Sequence, residues 1–196
     1  YFPVANFESE PWWGGSYEGI HNSYQVFNFY GEDFLFINVQ SHDPWGTDNP
    51  GARAWANGVI AAHPEHKVLL GTHDTLETST IKRDILTQHD NIVLSNAGHS
   101  CARETRFLTF GPDGGVAQNF VVDYQCDKQE IMLLRYYVFR PLEDRVDYYT
   151  YSPIADIFEE DTNSQGSFDL EMRDDIDTAV VNSPWSWIKA KLRPSR

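Results

Sequence analysis

Three short stretches place metal-capable residues where a segment turns or a strand ends: Ala5-Asn6-Phe7-Glu8, Gly71-Thr72-His73-Asp74 and Gly98-His99-Ser100-Cys101. Taken singly, His73 and His99 read as polar residues satisfied by hydrogen bonds at strand ends. Cys101 has three readings: a soft metal ligand, a thiolate nucleophile with His99 as its base, or half of a disulfide with Cys126. His21, His42, His63, His66 and His89 fall in loops or at helix ends, where exposure is expected. Asp161 to Gly166 opens like a calcium loop, but its twelfth position is Met172 rather than Glu. Trp12-Trp13-Gly14-Gly15 is either a stacking platform for a ligand or a packed loop across a site mouth.

The elements around these stretches follow from periodicity. Tyr24 to Gln40, broken by Gly31-Glu32-Asp33, reads as a hairpin. Residues 52 to 63 carry Ala54, Trp55, Val59 and Ala62 at helical spacing and stop at His63-Pro64. Lys67 to Leu70 is a strand delivering His73, Thr80 to Gln88 a helix, and Ile92 to Leu94 a strand delivering His99. Strand, helix, strand implies a parallel sheet with its ligand sites at the carboxyl ends of the strands. From Thr105 to Tyr151 the pattern becomes an antiparallel meander, with turns at Pro112-Asp113-Gly114-Gly115 and Pro141-Leu142-Glu143-Asp144. Beyond Asp156 periodicity fades, and a short Trp-containing end covers Trp185 to Leu192.

Composition limits the function classes. The chain has 196 residues, 14% aromatic, with a formal charge of −14. It is long enough for one domain that buries about two thirds of its unfolded surface. The negative charge argues against nucleic acid or an anionic membrane as partner, because phosphate binding needs clustered Lys and Arg. It suits an extracellular or salt-tolerant protein, or one that meets cations. No run approaches the ~18 apolar residues of a membrane span. A start at Tyr1 suggests a processed or truncated polypeptide, and no signal peptide is visible.

The three stretches come in the order and rough spacing of the last three metal-site blocks of the calcineurin-like metallophosphoesterases. From Trp12 to about Leu170 the chain resembles the secreted bacterial type of that family. The matching segments are Trp13-Gly14-Gly15-Ser16-Tyr17-Glu18-Gly19, Asn22-Ser23-Tyr24, Ala54-Trp55-Ala56, Asp123-Tyr124-Gln125 and Tyr149-Thr150-Tyr151-Ser152-Pro153. The resemblance implies an α/β sandwich of two mixed sheets flanked by helices, lacking its N-terminal strands, over residues 1–170, with an extension over 171–196. It also implies Asn6, His73 and His99 as ligands of one divalent cation of the Zn, Mn or Fe type.

The departures from the family pattern matter as much. Phe7 stands where the family has a histidine that assists the leaving group, and Cys101 where it has the last metal-binding histidine. The blocks that supply the bridging carboxylate are absent, and a two-metal clamp on phosphate needs that carboxylate. The resemblance therefore implies a catalytically degenerate protein acting as a binding or assembly subunit. The alternatives are a metal-dependent phosphoric ester hydrolase whose N-terminal half is a separate or removed chain, and a structural oligomer or fibre subunit. The family arrangement also favours a disulfide between Cys101 and Cys126, worth roughly 3 kcal/mol for a loop of about 25 residues. Missing strands beside the one ending at Gly71 imply an open sheet edge, covered by a second copy or a companion chain.

Overall fold

The structure is a computed structural model that describes residues 3–19, 21–40, 42, 48–73, 80–101, 103–125 and 131–172. Local chemistry sets its first hairpin. Strands β2 (Asn22–Phe29) and β3 (Glu32–Val39) pair antiparallel, with Phe29 opposite Glu32. Tyr30 and Gly31 between them have φ of 54° and 81°, the two-residue turn whose twist matches the strands. The Asn28 side chain secures that turn by accepting from Gly31 N at 3.1 Å and donating to Asp33 at 2.8 Å.

Helix α1 (Pro50–Ala61) begins where Asn49 Oδ1 accepts from Ala52 N at 3.0 Å, with Pro50 in the first turn, a cap worth about 1 kcal/mol. Ala52, Ala56 and Ile60 recur every four residues and form its buried face. Arg53 on the same helix is 5% exposed and is neutralised by Asp48 and Asp84, each with an oxygen 3.0 Å away.

Seven strands form one mixed sheet in the order β1-β2-β3-β4-β5-β7-β6. The remaining members are β1 (Trp13–Tyr17), β4 (Lys67–Thr72), β5 (Ile92–Ala97), β6 (Arg103–Phe110) and β7 (Val116–Asp123). β3, β4, β5 and β7 run parallel to one another and the outer strands antiparallel. Four further strands, β8 (Leu134–Arg140), β9 (Arg145–Ser152), β10 (Ile157–Glu159) and β11 (Gln165–Asp169), make a wholly antiparallel sheet around β9.

The large sheet separates two cores. Leu35, Ile37, Val68 and Leu70 pack with Ala56 and Ile60 of α1 and with Ile81, Ile85 and Leu86. On the other face Leu94 and Phe120 pack with Val146, Tyr148, Phe168 and Met172. Alternation along β3, β4 and β7 sends one set of residues to each face, while an irregularity in the β4–β5 register puts Ile92 in the first core and Leu94 in the second. A buried polar ladder, Ser95 Oγ to Asn119 Oδ1 at 2.6 Å and Asn119 Nδ2 to Thr109 Oγ1 at 3.1 Å, ties β5, β7 and β6 together.

This architecture overturns the expected α/β sandwich of two mixed sheets flanked by helices. The described chain is mostly β, one of its two sheets is purely antiparallel, and α1 is its one α-helix. The helix expected over Thr80 to Gln88 is mainly a five-residue π-helical turn, Lys82–Leu86. The second face of the large sheet is occupied by β8 to β11, leaving no room for flanking helices there. The expected meander is divided between the sheets: β6 and β7 extend the large one, while β8 and β9 begin the small one. Nor is periodicity lost beyond Asp156, since β10 and β11 both pair with β9. The edge expected beside the strand ending at Gly71 is closed, because β4 lies between β3 and β5. The packed body reaches Met172, which is 4% exposed; residues 173–196 lie outside the described residues.

Candidate functional site

His73 follows β4 directly, and His99 follows β5 by two residues. Because β4 and β5 are parallel neighbours, with Gly71 opposite Asn96, both histidines emerge at the same end of the sheet, where α/β folds place ligands. Their ring centroids are 4.5 Å apart and their planes are inclined by 55°. His99 has φ of 54°, a left-handed conformation that costs a non-glycine residue about 1–2 kcal/mol and must be enforced by its surroundings. Asp123, at the end of β7, supplies that restraint. One of its carboxylate oxygens accepts from Ser100 N at 2.8 Å and the other from Gln125 N at 2.9 Å.

Beside the pair a cleft of about 630 Å³ opens between the two sheets. Its wall on the large sheet includes Phe36 and Asn38 of β3, Gly71 of β4 and Asn96 of β5, and its wall on the small sheet is Arg135 and Tyr137 of β8. Gly71 leaves room for the Asn38 amide: a Cβ there would stand 2.5 Å from Asn38 Oδ1 and push that side chain aside. The Tyr137 hydroxyl donates to Asn96 Oδ1. Burial raises the pKa of Tyr137, and the nearby Arg135 charge opposes that rise in part.

Arg135 is 5% exposed and paired with Glu104. Its Nε donates to Thr150 Oγ1 at 2.9 Å and its Nη2 to the carbonyl of Asn163 at 2.8 Å. Tyr124 and Ser164 donate to the same Glu104 at 2.9 and 2.8 Å. Burial pushes the Tyr124 hydroxyl up to about 12.

The structure brings His73 and His99 together. Asn6 is exposed in a single 3-10 turn, Val4–Asn6, and is not among the residues lining the cleft. No group of three or more His, Cys, Asp or Glu side chains converges among the described residues. Phe7 stacks on Trp13 at 5.7 Å and leans on Trp12 at 6.1 Å, so the residue in the family's histidine position packs an aromatic cluster.

Cys101 lies in an exposed turn and carries no free thiol; Cys126 and Asp74 lie outside the described residues. Asp161 is occupied within its own loop, accepting from Asn163 N at 2.9 Å and Ser164 N at 3.0 Å. Four of the histidines expected to be exposed, His42, His63, His66 and His89, are instead partly buried. His63 Nδ1 meets Val59 O at 2.7 Å, His66 packs on the His63 ring at 4.9 Å, and His89 Nε2 meets Asn57 Oδ1 at 2.7 Å.

Asn38, Asn96, Arg135 and Tyr137 were not expected at the site. Asn96 had a signal: a polar residue at the end of an otherwise apolar buried strand, two positions before a glycine. Arg135 had none, because its place depends on which strand of the second sheet faces the cleft.

The chain is 28% identical over 184 residues to the uncharacterized protein YvnB of Bacillus subtilis (strain 168), a match covering 86% of this chain. It spans 14% of that protein's length. No family model matches the chain, and no solved structure does.

Proposed function

We propose that this chain is a catalytically degenerate relative of the calcineurin-like phosphoesterases that serves as a binding subunit and holds one divalent cation through His73 and His99. The observation that carries this reading is the approach of the two rings to 4.5 Å at the ends of adjacent parallel strands. Two imidazoles fixed side by side, with water completing the shell, suit a borderline cation such as Zn²⁺. The site falls short as a hydrolytic centre. A two-metal mechanism needs a bridging carboxylate, and none lines the cleft among the described residues. Phe7 can neither donate nor accept a proton.

A second reading, a hydrolase completed by additional chain, draws on the relative's greater length. One experiment separates the two. Zn²⁺ and Mn²⁺ are titrated calorimetrically into the wild type and into His73→Ala, and turnover of an aryl phosphate is followed in the same samples. One bound equivalent that His73→Ala abolishes, without turnover, is the expected result. Metal-dependent turnover lost in His73→Ala would establish the hydrolase instead, and the same metal binding in both proteins would remove the histidine site.

A further inference from the structure

We propose that Arg135 makes this cleft a receptor for an oxyanion, bound directly by the guanidinium with no metal between. The first ground is charge. The chain carries 29 Asp and Glu against 15 Lys and Arg, yet the described residues lining its cleft include Arg135 and His73 and no carboxylate. Arg135 is ion-paired with Glu104, so what the cleft offers an incoming anion is the absence of the carboxylates that repel anions elsewhere on this acidic protein.

The second ground is the hydrogen-bond inventory of Arg135. Glu104, Thr150 and the Asn163 carbonyl engage Nε and Nη2 and hold the guanidinium from one side. Nη1 is buried and meets no partner with hydrogen-bond geometry among the described residues. The guanidinium as a whole lies near Tyr137, whose own hydroxyl proton goes to Asn96. A charged donor that is buried without a partner costs more than it contributes, unless a ligand completes it.

The third ground is the support around it. Glu104 is braced by Tyr124, Thr150 and Ser164, so the arginine is fixed before any ligand arrives and little ordering cost remains at binding. Asn38 and Asn96 on the facing wall supply amide groups to a ligand's remaining polar atoms. Phosphate esters, sulfate esters and carboxylates share this chemistry.

The inference concerns the same cleft as the cation reading but does not depend on it, because it is tested without metal. Inorganic phosphate is titrated into the protein in EDTA, followed by sulfate and acetate in competition. Saturable binding is expected, weakened about tenfold or more in Arg135→Gln through loss of charge-assisted donors. Arg135→Lys, which keeps the charge, recovers part of it. Arg135→Gln could lose its fold along with the Glu104 network. Asn38→Asp leaves that network intact while setting a negative charge in the cleft, and it weakens phosphate by a similar factor.

Displacement by sulfate but not acetate assigns the site to tetrahedral esters, and displacement by acetate assigns it to carboxylates. Absence of phosphate binding, or unchanged binding in both folded variants, overturns the proposal. Phosphate binding without histidine-dependent metal binding would leave it standing and defeat the cation reading alone.

Discussion

Asp123 holds the backbone of Ser100 by a 2.8 Å hydrogen bond, and through that bond the last residue of β7 fixes the turn in which His99 stands. The turn includes a left-handed histidine, which the chain would relax without the restraint. Asp123→Ala is therefore expected to weaken divalent-cation binding about 10-fold to 100-fold, the usual cost of losing a group that orients a ligand. Thermal stability should fall by much less in proportion. Calorimetric titration beside a melting curve checks this, and equal metal affinity in the variant would show that His99 keeps its place unaided.

Much of the first half was legible because its signals are local. Gly31-Glu32-Asp33 marked the hairpin and the apolar spacing over residues 52 to 63 marked the helix, although that helix starts earlier, at Asn49-Pro50, and buries Ala52, Ala56 and Ile60 rather than Ala54 and Ala62. His73 and His99 follow short apolar strands, so their common end of the sheet could be read from order alone. The second half was harder. Alternation marks β6 to β9 as strands but does not say which sheet each joins, and that choice puts Arg135 and Tyr137 over the cleft. Helical spacing of Ile81 and Ile85 was real, yet their burial against α1 and β6 is met by a single π-helical turn. Asn6 stands in an exposed turn beside Phe7, which packs into the Trp12 and Trp13 cluster.

Gly14 is a position where any side chain meets an obstacle. A Cβ there would lie 2.1 Å from Tyr24 Cε2, and Tyr24 is itself packed against Trp55 and His63. Gly14→Ala is expected to cost about 1–3 kcal/mol, the range for overpacking a filled site. Denaturant unfolding measures it; a loss below about 0.5 kcal/mol would mean that the Tyr24 ring swings aside freely.

Alkaline pH should expose the Glu104 network. Burial raises Tyr124 from its ordinary value of 10.0 to about 12. A group whose folded pKa lies above its unfolded value contributes stability that is complete below the unfolded pKa. That contribution fades as pH rises through the folded one. Unfolding free energy should therefore decline between pH 10 and about 12, and Tyr124→Phe should decline less steeply over the same window. Parallel curves for the two proteins would show that Tyr124 ionises as easily folded as unfolded.

The state of Cys101, which carries no free thiol, bears on the same turn as His99. With Cys126 the chain's other cysteine, an intramolecular bridge is the expected pairing. Labelling of the denatured, unreduced protein should find no reactive thiol, and a peptide map should recover Cys101 joined to Cys126. Reduction is expected to lower stability by roughly 3 kcal/mol. Two labelled cysteines in the unreduced protein would return Cys101 to the ligands available beside His99.

The fold leaves β8 on a sheet edge, and this edge differs from the one the sequence suggested. β4 is paired on both sides, whereas β8 pairs among the described residues with β9 alone. Next to β8 runs an apolar groove of about 430 Å³ lined by Phe27, Phe29, Phe34, Leu69 and Phe139, and Phe27 is 42% exposed. An unpaired strand beside an apolar trough is a template for another strand, and the charge of −14 opposes unspecific clustering elsewhere on the surface. Self-association through β8 is therefore expected at low micromolar concentration, giving a species heavier than 22.5 kDa in sedimentation. Leu134, 42% exposed on β8, tests the location: Leu134→Lys sets a charge on that edge and should restore a monomer. A wild type that sediments as a monodisperse monomer would show that the groove is closed within the chain itself.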